Sequence, residues 1–286
     1  MGALEASNVA AGTTSPNYLI NGGFDFWQRG TSQTTTGYGS ADRWYNLCAG
    51  TTTVSQETSD LPTGFRNGIK YVTGASSSYA QFHQMFETSM VVPLRGKTVI
   101  FSFYAKVAGS YSGNIGAEVQ YSNSNTDASY ANNTVAVSVT GTASAPTSWT
   151  RMSFTFVVPS DALSLRVGII PTLVQPSGVT VRIAGAQLEL GNTTTIFRRN
   201  QPNIQAELAA CQRYFEEVGS TEAWMSYSGN GARIWPFYYK VTKRVVPTVT
   251  FPYGNSCVVN VNQVDRMIGY RTDGTGVNSI WASAEL

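Results

Sequence analysis

From Asn17 to about Gly191 the sequence alternates short β-favouring runs with turn residues, and no helical period intervenes. The runs at 98–107, 117–121, 134–140, 150–158, 163–170 and 179–184 are rich in Val, Ile, Phe, Tyr and Thr, the residues that fit a pleated, half-buried surface. Several alternate apolar with polar positions, which marks a strand with one buried face. In the first run Val99, Phe101, Phe103 and Ala105 point one way; Ile100, Ser102, Tyr104 and Lys106 point the other. Asn67-Gly68 has the composition of a tight hairpin turn. Closely spaced strands with nothing helical between them indicate an all-β sandwich or barrel.

The period changes after Gly191. Gly191-Asn-Thr-Thr-Thr reads as a loop, and then Ile204, Leu208, Cys211, Phe215 and Val218 recur at helical spacing. Asn203 is placed to cap the start and Gly219 to end it. The spacing also fits two heptads, so a helix laid on a sheet and a helix near a three-fold axis both satisfy it. Strand composition returns at 233–241, 248–251, 257–261 and 267–271, with turn signals at Asn230-Gly231 and Asp273-Gly274. So short a tail makes a marginal core alone, and it is expected to pack on the first domain or on partner chains. The expected division is a flexible arm at 1–16, a β-sandwich at 17–191, a linker and short helix at 192–220, and a small C-terminal β domain at 221–286.

Charge excludes several functions. Only 13% of the 286 residues are charged and the net charge is +2, too little Lys and Arg for general nucleic-acid binding. Arg198-Arg199 and the run 240–244 are locally basic, which suits solvated strand ends and loops, an acidic envelope glycan or a neighbouring subunit. Cys48, Cys211 and Cys257 are far apart and form no Cys-x-x-Cys pair, so buried reduced thiols are expected rather than zinc. No signal-peptide pattern is visible and no apolar run is long enough to span a bilayer, so no membrane insertion is expected.

Catalytic signatures are sparse. The single histidine, His83, has polar neighbours on a strand face and reads as a satisfied surface residue. No Gly-x-Ser-x-Gly elbow accompanies it, and no Gly-rich phosphate loop precedes a helix. Two carboxylates suffice to cleave a glycoside, but sequence cannot test their separation. No catalytic residue and no cofactor is therefore expected.

Two segments carry a family likeness. One is Asn17-Tyr-Leu-Ile-Asn-Gly-Gly-Phe-Asp-Phe-Trp-Gln-Arg-Gly-Thr-Ser32, followed by Ala41-Asp-Arg-Trp44. The other is Ala186-Gln-Leu-Glu-Leu-Gly191, leading into Glu207-Leu-Ala-Ala-Cys-Gln-Arg-Tyr-Phe215. Together they resemble the opening and closing strands of a jelly-roll module of bacteriophage tail-fibre and other virion-surface proteins, itself similar to carbohydrate-binding sandwiches attached to glycoside hydrolases. The resemblance implies a jelly roll and a non-catalytic phage fibre or receptor-binding protein that attaches to host surface polysaccharide. It implies a homotrimer on the virion surface, as a tail or capsid fibre, made in the host cytoplasm and joined to other virion proteins through the N-terminal arm. A purely structural virion component and a glycan-cleaving enzyme are the alternatives. Modules of this type often hold one calcium between an early acid and a late Asp-Asp strand. Here Asp25 matches the early acid, but Ala184 and Gly185 replace the late pair, so no metal is expected and Asp25 is assigned hydrogen bonds from backbone or Arg43.

Sugars are held by aromatic faces together with amide and hydroxyl groups. Trp27 and Trp44 lie inside the motifs and Trp149 opens a strand, so all three read as structural. Aromatics in turn-rich stretches are the better candidates. Tyr111, Tyr121 and Tyr130 flank the polar loop 122–127; Trp224 and Tyr227 precede Ser228-Gly-Asn-Gly231; Tyr253 precedes Gly254-Asn-Ser256.

Overall fold

The computed structural model describes residues 16–75, 78–111, 113–137, 142–171, 175–219, 226–227, 233–251, 258–271 and 279–286. Two antiparallel sheets form a jelly-roll sandwich. In spatial order the first holds β1 (Ser32–Gln33), β3 (Thr52–Glu57), β4 (Gly68–Thr73), β12 (Thr180–Leu190), β6 (Thr98–Ala108) and β10 (Thr150–Val157). The second holds β2 (Tyr45–Ala49), β5 (Tyr79–Phe86), β11 (Ser164–Pro171), β7 (Asn114–Ser122) and β8 (Val135–Ala136), with β9 (Thr142–Ser144) also on β7. The alternation read from β6 holds: Val99, Phe101, Phe103 and Ala105 are fully buried. They meet Phe82 and Phe86 of β5 and Leu165, Val167 and Ile169 of β11 in one core between the sheets.

The opening motif is structural. Trp44 is fully buried, and its indole N–H donates to the Asn21 carbonyl. Asn17 ties the start of the chain to its late strand: its Nδ2 donates to the Ala186 and Arg198 carbonyls, and its Oδ1 accepts from Leu19 N and Leu188 N. Trp149 departs from expectation. It is half-buried on the outer side of the first sheet, where its indole donates to Asp60, which also receives Lys106. Asn67-Gly68 is not a two-residue hairpin turn either. β3 and β4 are joined by the longer loop 58–67, and Asn67 closes it.

Apart from the four-residue α1 (Thr88–Val91), the described α-helix is α2 (Ile204–Gln212). Asn203 caps α2 as expected, accepting from Ala206 N at 2.9 Å. The helical stripe does not run to Gly219. β13 (Phe215–Gly219) begins instead, because Phe215 and Val218 are buried through pairing with β19 (Ser279–Ser283). β16 (Thr248–Thr250) completes this three-stranded sheet. A second C-terminal sheet orders β14 (Ser226–Tyr227), β15 (Arg233–Tyr238), β18 (Arg266–Arg271) and β17 (Val258–Asn262). Val218, Phe237, Tyr239, Met267, Ile280 and Ala282 form their own small core. Among the described residues no helix is long and apolar enough to cross a membrane.

The C-terminal sheets pack on the sandwich, as so small a core requires. Glu285 reaches back to both Arg29 and Arg43, whose guanidinium groups lie 3.6 Å over Phe215 and 3.5 Å over Tyr214. Part of the basic run 240–244 is buried here rather than solvated. Lys243 pairs with the fully buried Glu216 at 2.6 Å, and Arg244 pairs with Asp127 at 3.1 Å. Each charge meets its opposite, which is what makes burial of these groups tolerable.

Candidate functional site

On the outer side of the first sheet, three stretches of loop enclose a cavity of about 690 Å³. Its walls come from the opening motif (Gly23, Asp25, Phe26), the β3–β4 loop (Phe65, Arg66, Asn67), the segment between β12 and α2 (Phe197, Arg199) and Ile204 at the start of α2. The seat for Phe65 is built into β12. That strand carries a bulge between Ala184 and Gln187, and Gly185 sits there at φ +56°. A Cβ on Gly185 would come within 2.4 Å of the Phe65 ring, so the missing side chain makes the space the ring occupies. Phe65 then packs against Tyr104 at 5.3 Å and Phe197 at 5.1 Å between ring centres. Phe26, Phe65 and Phe197 all remain half-exposed.

A rigid polar clamp lies beside these rings. The Asp25 carboxylate accepts from Arg199 Nε at 2.7 Å, Arg199 Nη2 at 3.3 Å and Asn67 Nδ2 at 3.2 Å. Asn67 Oδ1 in turn accepts from Gln56. Asn21 Oδ1 fixes the turn by accepting from the backbone N–H groups of Asp25 and Phe26. The buried Glu207 holds the same turn to α2, taking Asn21 N on one oxygen and Gln201 N on the other. Burial raises the Glu207 pKa, and the Asp25 hydrogen bond raises that of Arg199. Asp25 is thus satisfied by Arg199 and Asn67, not by Arg43, which is committed to Glu285. These residues do not fit a calcium ion: both Asp25 oxygens are engaged, and Ala184 and Gly185 offer no carboxylate. No cluster of three metal-ligating side chains occurs among the described residues.

Of the aromatics singled out from sequence, Tyr111 and Tyr121 pack partly buried against the sandwich core, and the Tyr111 hydroxyl donates to the Asn114 carbonyl. Tyr130 lies on the outer face of the second sheet, stacked on Tyr45 at 4.6 Å with the Arg166 guanidinium 4.0 Å from its ring centre. Its ring is already engaged by its own protein. Trp224 and Tyr253 lie outside the described residues; Tyr227 is described only as backbone in β14. Of the three whose side chains are described, Tyr111, Tyr121 and Tyr130, none lines the cavity. The rule that sugar-binding aromatics sit in turn-rich stretches applies equally to Phe65, in Pro62-Thr-Gly-Phe-Arg-Asn-Gly68, and to Phe197, after Asn192-Thr-Thr-Thr.

His83 is a correction. It is not a surface residue but 0% exposed, roofed by Tyr130 and laid over Gly168, where a Cβ would meet the ring at 2.2 Å. Its Nε2 meets Gln81 Oε1 at 3.1 Å, and its Nδ1 has no hydrogen-bond partner. Burial first, and the nearby Arg166 second, push its pKa well below the usual histidine value. The unfolded chain therefore takes up a proton near pH 6.5 that the folded one refuses, and stability is lost as pH falls through that value. Between pH 7.5 and 5.5 this costs on the order of 1 kcal/mol. Asp42 acts oppositely: its pKa, raised by burial to about 6, adds stability on acidification over part of that range. Urea unfolding of wild type and His83→Phe at the two pH values isolates the histidine. The wild type is expected to lose on the order of 1 kcal/mol more than the variant, and equal losses would refute the assignment.

No family model matches this sequence, and no curated protein matches it. Solved structures with a similar shape include a galactose-oligomer complex, TmCBM61 with β-1,4-galactotriose: TM-score 0.42, 12% identity, 62% of this chain and 100% of that one. The CBM22-1 xylan-binding domain of Paenibacillus barcinonensis Xyn10C gives TM-score 0.38 at 15% identity over 57% of this chain and 94% of that one. The enzymatically active domain of tailspike protein 4 from bacteriophage CBA120 gives TM-score 0.42 at 13% identity, with 61% of this chain matched to only 21% of that one.

Proposed function

We propose that this chain is a non-catalytic glycan-binding protein of a phage virion fibre, attaching the particle to host surface polysaccharide. The cavity carries this reading: three half-exposed phenylalanines are gathered beside a preorganised Asp25–Arg199–Asn67 clamp. Aromatic faces suit the C–H surfaces of a sugar, and fixed polar groups that converge on the same hollow suit its hydroxyls. Adhesion without cleavage is favoured because Asp25 is the only carboxylate lining the cavity among the described residues, and it is ion-paired to Arg199. Hydrolysis of a glycosidic bond generally needs two carboxyl groups flanking it. The virion setting draws support from the opening and closing motifs, Asn17 to Ser32 and Ala186 to Gly191. In a homotrimer, weak single sites would combine through effective concentration.

The test is retention of the purified protein on intact host cells and on their extracted polysaccharide, with polymer length followed in the same sample. Retention with unchanged length is the expected result. Shortening of the polymer would make the protein an enzyme, and no retention on any host would favour a purely structural virion role.

A further inference from the structure

Three cations surround the cavity and its continuation. Arg66 and Arg199 line it, against one carboxylate, Asp25. A second hollow of about 490 Å³ adjoins it, shares Arg199 and adds Arg198. Most guanidinium groups of the sandwich are spoken for: Arg95 donates to the Ala162 carbonyl, Arg151 to Ser102, Arg166 to Glu118 and Arg182 to Glu57. The side chains of Arg66 and Arg198 are different. Each is exposed and makes no hydrogen bond or ion pair to a described residue. Arg199 turns Nε and Nη2 toward Asp25, and its Nη1 makes no hydrogen bond to a described residue.

We infer that the cavity selects acidic sugars, with the carboxylate of a uronic-acid residue taken by Arg66 and the free edge of Arg199 while its ring lies on Phe65 and Phe197. This rests on the reading of the cavity as a glycan site. A guanidinium is planar, weakly hydrated and presents paired donors that match a carboxylate. Asp25 cannot neutralise both cations, and its two oxygens are already occupied, so it fixes Arg199 without cancelling Arg66. Arg198 extends the positive edge to the next acidic residue of a polymer.

The probes are polygalacturonate and alginate, each compared with its carboxyl-reduced neutral form by isothermal titration against wild type, Arg66→Ala and Phe65→Ala. At least one acidic polymer is expected to bind, and carboxyl reduction is expected to weaken its binding about tenfold, the scale of one charge-assisted contact. In Arg66→Ala the same reduction should matter less than about twofold. A neutral form that binds as well as its acid, with binding still lost in Phe65→Ala, overturns the acidic preference and leaves the glycan site standing. Acidic binding that is indifferent to both substitutions overturns the preference and the cavity site together. Failure of both acidic polymers to bind overturns the acidic preference for the uronate class.

Discussion

Glu285→Ala is expected to destabilise the attachment of the C-terminal sheets by about 3–5 kcal/mol, the cost of leaving a buried charge without its partner. The Arg43 side chain is 1% exposed and that of Arg29 is 4% exposed, and both point to the one Glu285 carboxylate. Removing it leaves two desolvated guanidinium groups, Arg43 held against Tyr214 and Arg29 against Phe215, with Arg29 still near the buried Asp42. Other ties across this junction include the Arg213 and Tyr214 contacts to Glu87, the Arg244 contact to Asp127, the Gln28 amide donating to the Phe215 carbonyl, and the Tyr38 hydroxyl donating to the Leu286 carbonyl. Those ties do not neutralise Arg43. Against a total stability of about 5–15 kcal/mol for a domain, the loss is large enough to shift the urea midpoint visibly. Glu285→Gln keeps the hydrogen-bond acceptor and should lose less. A loss under about 1 kcal/mol in Glu285→Ala would mean that the arginines reach water and that the junction is not closed as described.

Phe65→Ala is expected to weaken retention on the polysaccharide by about thirty-fold, the equivalent of a 2 kcal/mol aromatic hot spot. Phe65 forms the wall between Tyr104 and Phe197 and has one face on Gly185, so no neighbour can take over its surface. Its partial exposure keeps the stability cost below that of a core phenylalanine. Tyr130→Ala is the control. It should change retention by less than about twofold, because Tyr45 and Arg166 already engage that ring. The reverse pattern would move the site to the outer face of the second sheet.

The strands of the sandwich were legible through their β-favouring composition and, where one face meets solvent, through the period of two that burial imposes, which β10 shows directly. The helix start was legible through Asn203. Its end was not. Phe215 and Val218 keep helical spacing by coincidence, while the partner that makes them a strand, β19, arrives more than sixty residues later. His83 was misread for the same reason: its roof, Tyr130, and its seat, Gly168, lie on other elements. The cavity was the least legible part. Asp25 and Phe65 are distant in sequence from each other and from Phe197 and Arg199, and these groups meet because β12 bulges at Gly185 and because Asn17 and Glu207 hold both ends of the sandwich together. A sequence pattern shows which face of a strand is buried. It does not show which loops converge over that face.

The most direct test of the central claim is a crystal structure of the protein with an oligosaccharide cut from the polysaccharide that retains it. The sugar is expected in the cavity, with a ring on Phe65 or Phe197 and polar contacts to Asn67 and Arg199. A sugar bound elsewhere, with this cavity empty, would contradict the account.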